Sequence, residues 1–149
     1  MKNKFFLFFL FFLILSNCGY KPIYSSKNLN FSVGNIEKDN TYLNNKFSKS
    51  IYALGSKETA NKINIKIESG KLIKIKSKDS KGNALVFEIE IYLKFSSVNV
   101  VNKMEKTFSQ KITYNNSEDK FKLKQYENEL EDILINKIVE DLIRYLSKI

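Results

Sequence analysis

The chain has no histidine and no tryptophan, and its 149 residues include one cysteine, one proline and five glycines. Without histidine, the commonest general base and metal ligand at neutral pH is missing. One cysteine cannot close an internal disulfide. It also lacks an imidazole to activate it as a thiolate or to share a zinc ion. The few glycines form no phosphate-cradling loop, and neither a nucleophile elbow nor an internal repeat is found. Enzymatic activity therefore has no support, and no cofactor or metal is expected. The acidic residues do not rescue it, because pairs such as Glu88 and Glu90 read as the solvated face of a strand.

What the chain does have begins at its start. Lys2 and Lys4 precede eleven consecutive apolar residues, Phe5 to Leu15, followed by the small polar pair Ser16 and Asn17. A bilayer-spanning helix needs about 20 apolar residues, so this run reads as the h-region of an export signal covering residues 1–17. Subtracting its two lysines from the net charge of +9 leaves +7. A basic exported protein is drawn to anionic surfaces such as phospholipid headgroups or phosphorylated glycolipids. Export also makes nucleic acid a poor partner.

The lone cysteine sits where the greasy run stops. Leu15-Ser16-Asn17-Cys18 resembles the lipobox of bacterial lipoproteins, with Asn17 where Gly, Ala or Ser is usual. The resemblance implies a diacylglyceryl group on the Cys18 sulfur and a further acyl chain, of the palmitate kind, on the new amino terminus. Each buried methylene stabilises membrane attachment by about 0.8 kcal/mol, enough together to anchor a domain without a transmembrane helix. Gly19 after the cysteine implies sorting to the outer membrane. Residues 18–30, with Pro22 and Ser25-Ser26, read as an extended tether.

The domain itself is expected over residues 31–149. Phe31 and Val33 alternate with polar neighbours in a short strand that Gly34 should break. Leu43, Phe47, Ile51 and Leu54 lie at helical spacing, with Asp39, Asn40 or Thr41 to cap the start and Gly55 to stop it. KINIKIE at 62–68 and the Ile73, Ile75 alternation at 71–76 read as one bulged strand or two short ones around Gly70. DSKGN at 79–83 is a turn. Leu85 to Phe95 then alternate against Glu88, Glu90, Tyr92 and Lys94, and Phe108, Ile112 and Tyr114 share a face of a fourth strand. A long helix from Phe121 to Ser147 carries the stripe Tyr126, Leu130, Ile133, Leu134, Ile138, Leu142 and Tyr145 or Leu146. Strands apolar on one side need a covering layer, which two helices can supply. The expected fold is an α+β two-layer sandwich, a four-stranded mostly antiparallel sheet covered by two helices in the order β-α-β-β-β-α.

Cys18-Gly19-Tyr20-Lys21-Pro22-Ile23-Tyr24, together with Ile112-Thr113-Tyr114-Asn115 ahead of the last helix, resembles the LPS-assembly lipoprotein LptE family in its alphaproteobacterial form. The resemblance implies a protein at the outer membrane, sitting in or against the LptD β-barrel, assisting its folding and meeting lipopolysaccharide. The residues add one candidate ligand face. Lys62, Lys66, Lys74 and Lys76 project opposite a row of isoleucines and could meet lipid phosphates; lysines on an exposed strand also serve simply to block aggregation. Two other functions remain open: a lipid-anchored periplasmic carrier of one acyl ligand, and a structural envelope lipoprotein with no transport role.

Overall fold

The computed structural model describes residues 31–55, 62–98 and 104–148. The export segment 1–17, Cys18 and the tether to Asn30 lie outside them. The elements are β1 (Ser32–Glu37), α1 (Tyr42–Gly55), β2 (Lys62–Lys78), β3 (Ala84–Val98), β4 (Glu105–Asn115) and α2 (Lys120–Leu146). They form one four-stranded sheet in sequence order. β1 runs parallel to β2, as a crossover through a helix allows, and β2–β3 and β3–β4 are antiparallel. The α+β class and the β-α-β-β-β-α order are those the apolar periods predict.

Gly34 does not break the first strand. β1 continues to Glu37 through a register shift between Val33 and Ile36. Asn64 Oδ1 enters the gap and accepts the Asn35 N–H at 2.8 Å, and a Cβ on Gly34 would collide with it. Nor does Gly70 interrupt β2. It pairs with Tyr92, whose ring lies where a Gly70 side chain would be. The irregularity of β2 comes later, between Ile75 and Ser77.

One sheet face and both helices make the core. Ile65 and Ile67 of β2, Ile89 to Phe95 on alternate positions of β3, and Phe108 and Tyr114 of β4 are buried with Phe47 and Ile51 of α1. From α2 come Leu130, Leu134, Ile138, Leu142 and Leu146, joined by Ile135, Val139 and Ile143. The predicted stripe needs two corrections, since Ile133 and Tyr126 are about half exposed. A helix with a neighbour on one flank as well as a sheet beneath buries a rotated arc. Glu131 and Asp132 meet Lys46 of α1 on that flank, so Ile135, Val139 and Ile143 go inward and Ile133 outward.

Both helix starts are capped by side chains. The Thr41 hydroxyl accepts the Asn44 N–H at 3.3 Å. The Asp119 carboxylate accepts from Phe121 N and Lys122 N at 3.1 and 3.0 Å, so α2 begins one residue before Phe121.

Candidate functional site

Along β2, odd positions face the helices and even positions the open side, because Ile65 and Ile67 are in the core. Lys62, Lys66, Lys74 and Lys76 accordingly share the open face, but they do not form one cluster. Lys62 and Lys66 stand where β1 pairs with β2, and Lys74 and Lys76 lie about 25 Å further along the strand. Lys74 Nζ is 3.4 Å from Glu90 Oε2, and Lys76 Nζ is 3.4 Å from Glu88 Oε2. A third cross-strand pair joins Lys94 to Glu68 at 3.4 Å. Among the described residues Lys62 and Lys66 make no such pair.

The open face is thus a ladder of alternating charge rather than a basic plate. Glu88 departs from its expected solvated setting, being only 8 % exposed beside Lys76. Between the ladder rungs β4 contributes Thr107, Ser109, Lys111 and Thr113, and Leu72 of β2 stands half exposed beside Glu90. A shallow groove of about 720 Å³ crosses its β2–β4 end, where Lys66, Glu68, Lys94, Ser96, Glu105 and Thr107 line it. Its lining mixes both charge signs, and it lies on the side away from the helices.

The helix-facing side holds a polar junction that apolar periodicity does not reveal. Glu131, 1 % exposed, receives Lys46 Nζ of α1 at 2.9 Å and Lys71 Nζ of β2 at 2.7 Å. Asn44 Oδ1 beside them accepts the Ser69 hydroxyl at 2.6 Å. Burial alone would raise the Glu131 carboxyl, but the hydrogen bonds from Lys71 and Lys46 prevail and hold it below the usual carboxylate range. Burial pulls the Lys46 ammonium down, yet Asp132, Glu131 and Tyr42 raise it overall. Further along α2, the Tyr114 hydroxyl donates to Glu127 Oε1 at 2.7 Å; burial and that carboxylate both push the phenol up. These groups tie α1, α2 and the sheet together. The only hint of Glu131 in the sequence is an acid inside an otherwise apolar arc.

Among the described residues, no set of acidic, cysteine or histidine side chains could hold a metal ion, and no helix is long and apolar enough to cross a membrane.

No protein-family model matches the chain, and no curated protein matches it in sequence. Solved structures do match in fold. Rare lipoprotein B from Shewanella oneidensis is similar with a TM-score of 0.57 at 8 % identity, over 76 % of this chain and 95 % of that one. A lipoprotein B from Nitrosomonas europaea gives 0.59 at 15 %, over 87 % and 90 %. A minor lipoprotein from Acinetobacter baumannii gives 0.57 at 14 %, over 81 % and 92 %. At such identities the likeness is one of fold.

Proposed function

We propose, taking that likeness as the premise, that the chain is an outer-membrane lipoprotein of the LptE type, anchored through Cys18. It partners the LptD β-barrel in delivering lipopolysaccharide to the cell surface and helps that barrel fold. The observation that carries the proposal is the conjunction of a lipoprotein B fold over most of the chain with Cys18-Gly19-Tyr20-Lys21-Pro22-Ile23-Tyr24 at its start. The open sheet face supports it physically. A barrel interior is polar and wet, and a face of Lys–Glu rungs, threonines and serines, with Leu72 its exposed apolar exception, meets such a wall mainly through polar groups. The groove on that face is shallow and open, lined by Ile67, Phe95 and Val98 as well as by lysines and glutamates, and it does not enclose a chain as a carrier of one acyl ligand would.

Affinity purification from detergent-extracted outer membranes, followed by mass spectrometry, tests this reading. A one-to-one complex with an outer-membrane barrel, together with a diacylglyceryl mass on Cys18, is expected. Bound lipid without a barrel would favour the carrier, and a lone acylated chain the structural lipoprotein. Cys18→Ser should abolish acylation and leave the uncleaved precursor in the inner membrane, because a hydroxyl cannot form the thioether.

A further inference from the structure

The far end of β2 lacks two things that the near end has. The last β1–β2 pair is Glu37 with Lys66, so among the described residues the edge of β2 beyond it is unpaired. The first turn of α1 reaches only as far as Ser69, through Asn44, so that helix leaves the far half of the strand uncovered. Ile73 and Ile75 therefore stand 44 and 49 % exposed on the helix-facing side, with Leu85 49 % exposed next to them.

The start of α2 is fixed at the same end, since Asn116 donates to the carbonyls of Leu85 and Ala84. There Phe121 is 78 % exposed, the most exposed large apolar residue described. Phe121 precedes Asp132 by about three helical turns and so shares its flank, the one that meets α1. The phenylalanine and the bare isoleucines consequently lie on one side of α2.

Lysines surround this apolar end. Lys78 and Lys81 are in the β2–β3 hairpin, and Lys120, Lys122 and Lys124 are on the first turns of α2. Among the described residues, Lys78, Lys81 and Lys120 have no carboxylate partner, Lys120 binding only neutral oxygens of Asn116 and Ser117. Nearby acids offset part of this charge: Asp119, the α2 cap, lies 3.6 Å from Lys122, Glu127 lies 3.6 Å from Lys124, and Glu118 is exposed. The Asp79 carboxylate is engaged by Lys81 N, Asn83 N and the Asn83 amide, which leaves Lys78, Lys81 and Lys120, among the described residues, as the rim's ammonium groups free of a carboxylate. Exposed apolar side chains within a rim of lysines are the composition of a lipid-interface contact, where rings enter the acyl boundary and ammonium groups meet headgroup phosphates.

We propose that this end of the domain is a contact surface for an anionic phospholipid leaflet, with Phe121 at its centre. It rests on no contact with a barrel. Residues 18–30 fully extended reach at most about 45 Å, and the hairpin lies about 50 Å along β2 from Lys62. A domain lying along the leaflet would touch it at both ends, through the Cys18 anchor and through this surface.

The absence of tryptophan provides a clean probe. Phe121→Trp introduces the sole indole at a solvent-exposed position. It is to be measured in the acylated full chain, acylation being verified by intact mass, in vesicles of phosphatidylcholine alone or with brominated phosphatidylglycerol. The expected result is a blue-shifted emission that loses at least half its intensity in the brominated anionic vesicles. Both effects should disappear when Lys78, Lys81, Lys120, Lys122 and Lys124 are changed to Gln. An Ile133→Trp control, on the outward side of α2, should stay unquenched. Water-like emission in both vesicles overturns the proposal, as does equal burial in neutral and anionic lipid. Burial that instead accompanies self-association in the absence of lipid also overturns it, assigning the surface to a second copy. An unacylated chain would count against the Cys18 anchor alone, and adding the same vesicles to it would still decide the matter for Phe121.

Discussion

The two halves of β2 are built from the same alternation of isoleucine and lysine, yet they end in opposite environments. Ile65 and Ile67 are buried and Ile73 and Ile75 are not. The cause lies outside the strand: β1 and α1 serve only the first half, and the Lys46–Glu131–Lys71 junction stands at the border. Alternation determines which face a residue takes, whereas neighbouring elements determine whether that face is covered. The half-strand left bare is the surface proposed above to meet an anionic leaflet.

The largest contrast should come from matched truncations. Ile138 is fully buried at the centre of α2, so Ile138→Ala should cost about 2 to 5 kcal/mol in denaturant melts, and Leu134→Ala a similar amount. Ile73→Ala should cost less than about 1 kcal/mol, since little apolar area leaves water there on folding. Comparable losses at Ile138 and Ile73 would break the contrast.

Next in size is the junction itself. Glu131→Gln leaves two ammonium groups without their shared carboxylate and should destabilise by about 3 kcal/mol at neutral pH, near the lower bound for a buried pair because both lysines keep some solvent. The pH dependence has a definite sign. The folded carboxyl lies below its ordinary value of 4.5, so its contribution is complete above that pH and is lost as pH falls through the folded value. Wild-type stability should therefore decline below about pH 4.5 more steeply than that of Glu131→Gln. Parallel acid profiles would show that the junction contributes nothing.

Removing the α2 cap with Asp119→Ala should cost about 1 kcal/mol, read as a lower melting temperature and faster amide exchange in the first turn. Smallest of all is the open face. Exposed pairs contribute about 0 to 1 kcal/mol each, so Lys62, Lys66, Lys74 and Lys76 changed singly to Gln should leave the fold unaltered. Changed together, they should weaken binding to phosphorylated glycolipid at low salt if that face contacts it. Unchanged affinity would assign them to solubility, with Lys74 and Lys76 also serving their glutamate partners.

The sequence made much of this legible. Period two placed β2, β3 and β4, and period 3.6, with Thr41 among three candidate caps of the first helix, placed both helices, because each element repeats its pattern over many residues. The misreadings were local or tertiary. Gly34 looked like a breaker because nothing nearby announces Asn64, distant in sequence, as its hydrogen-bonding neighbour. Ile133 looked buried because a single-helix stripe does not know that α1 rotates the buried arc. Alternation put the four lysines on one face, where they are found, but it records neither the distance along that face nor the glutamates on the next strand. Glu131 was hidden for the same reason, its two partners being on other elements.

Hydrogen exchange on the acylated chain, free in detergent and in complex with vesicles containing phosphatidylglycerol, tests most directly whether the bare half of β2 is kept for a partner. Amides of Leu72–Lys78 on the unpaired edge should exchange rapidly in the free chain and slow markedly in the complex, while those of Ile65 and Ile89 remain protected in both. Slow exchange at 72–78 in the free chain, or protection gained only in the half already covered, would contradict it.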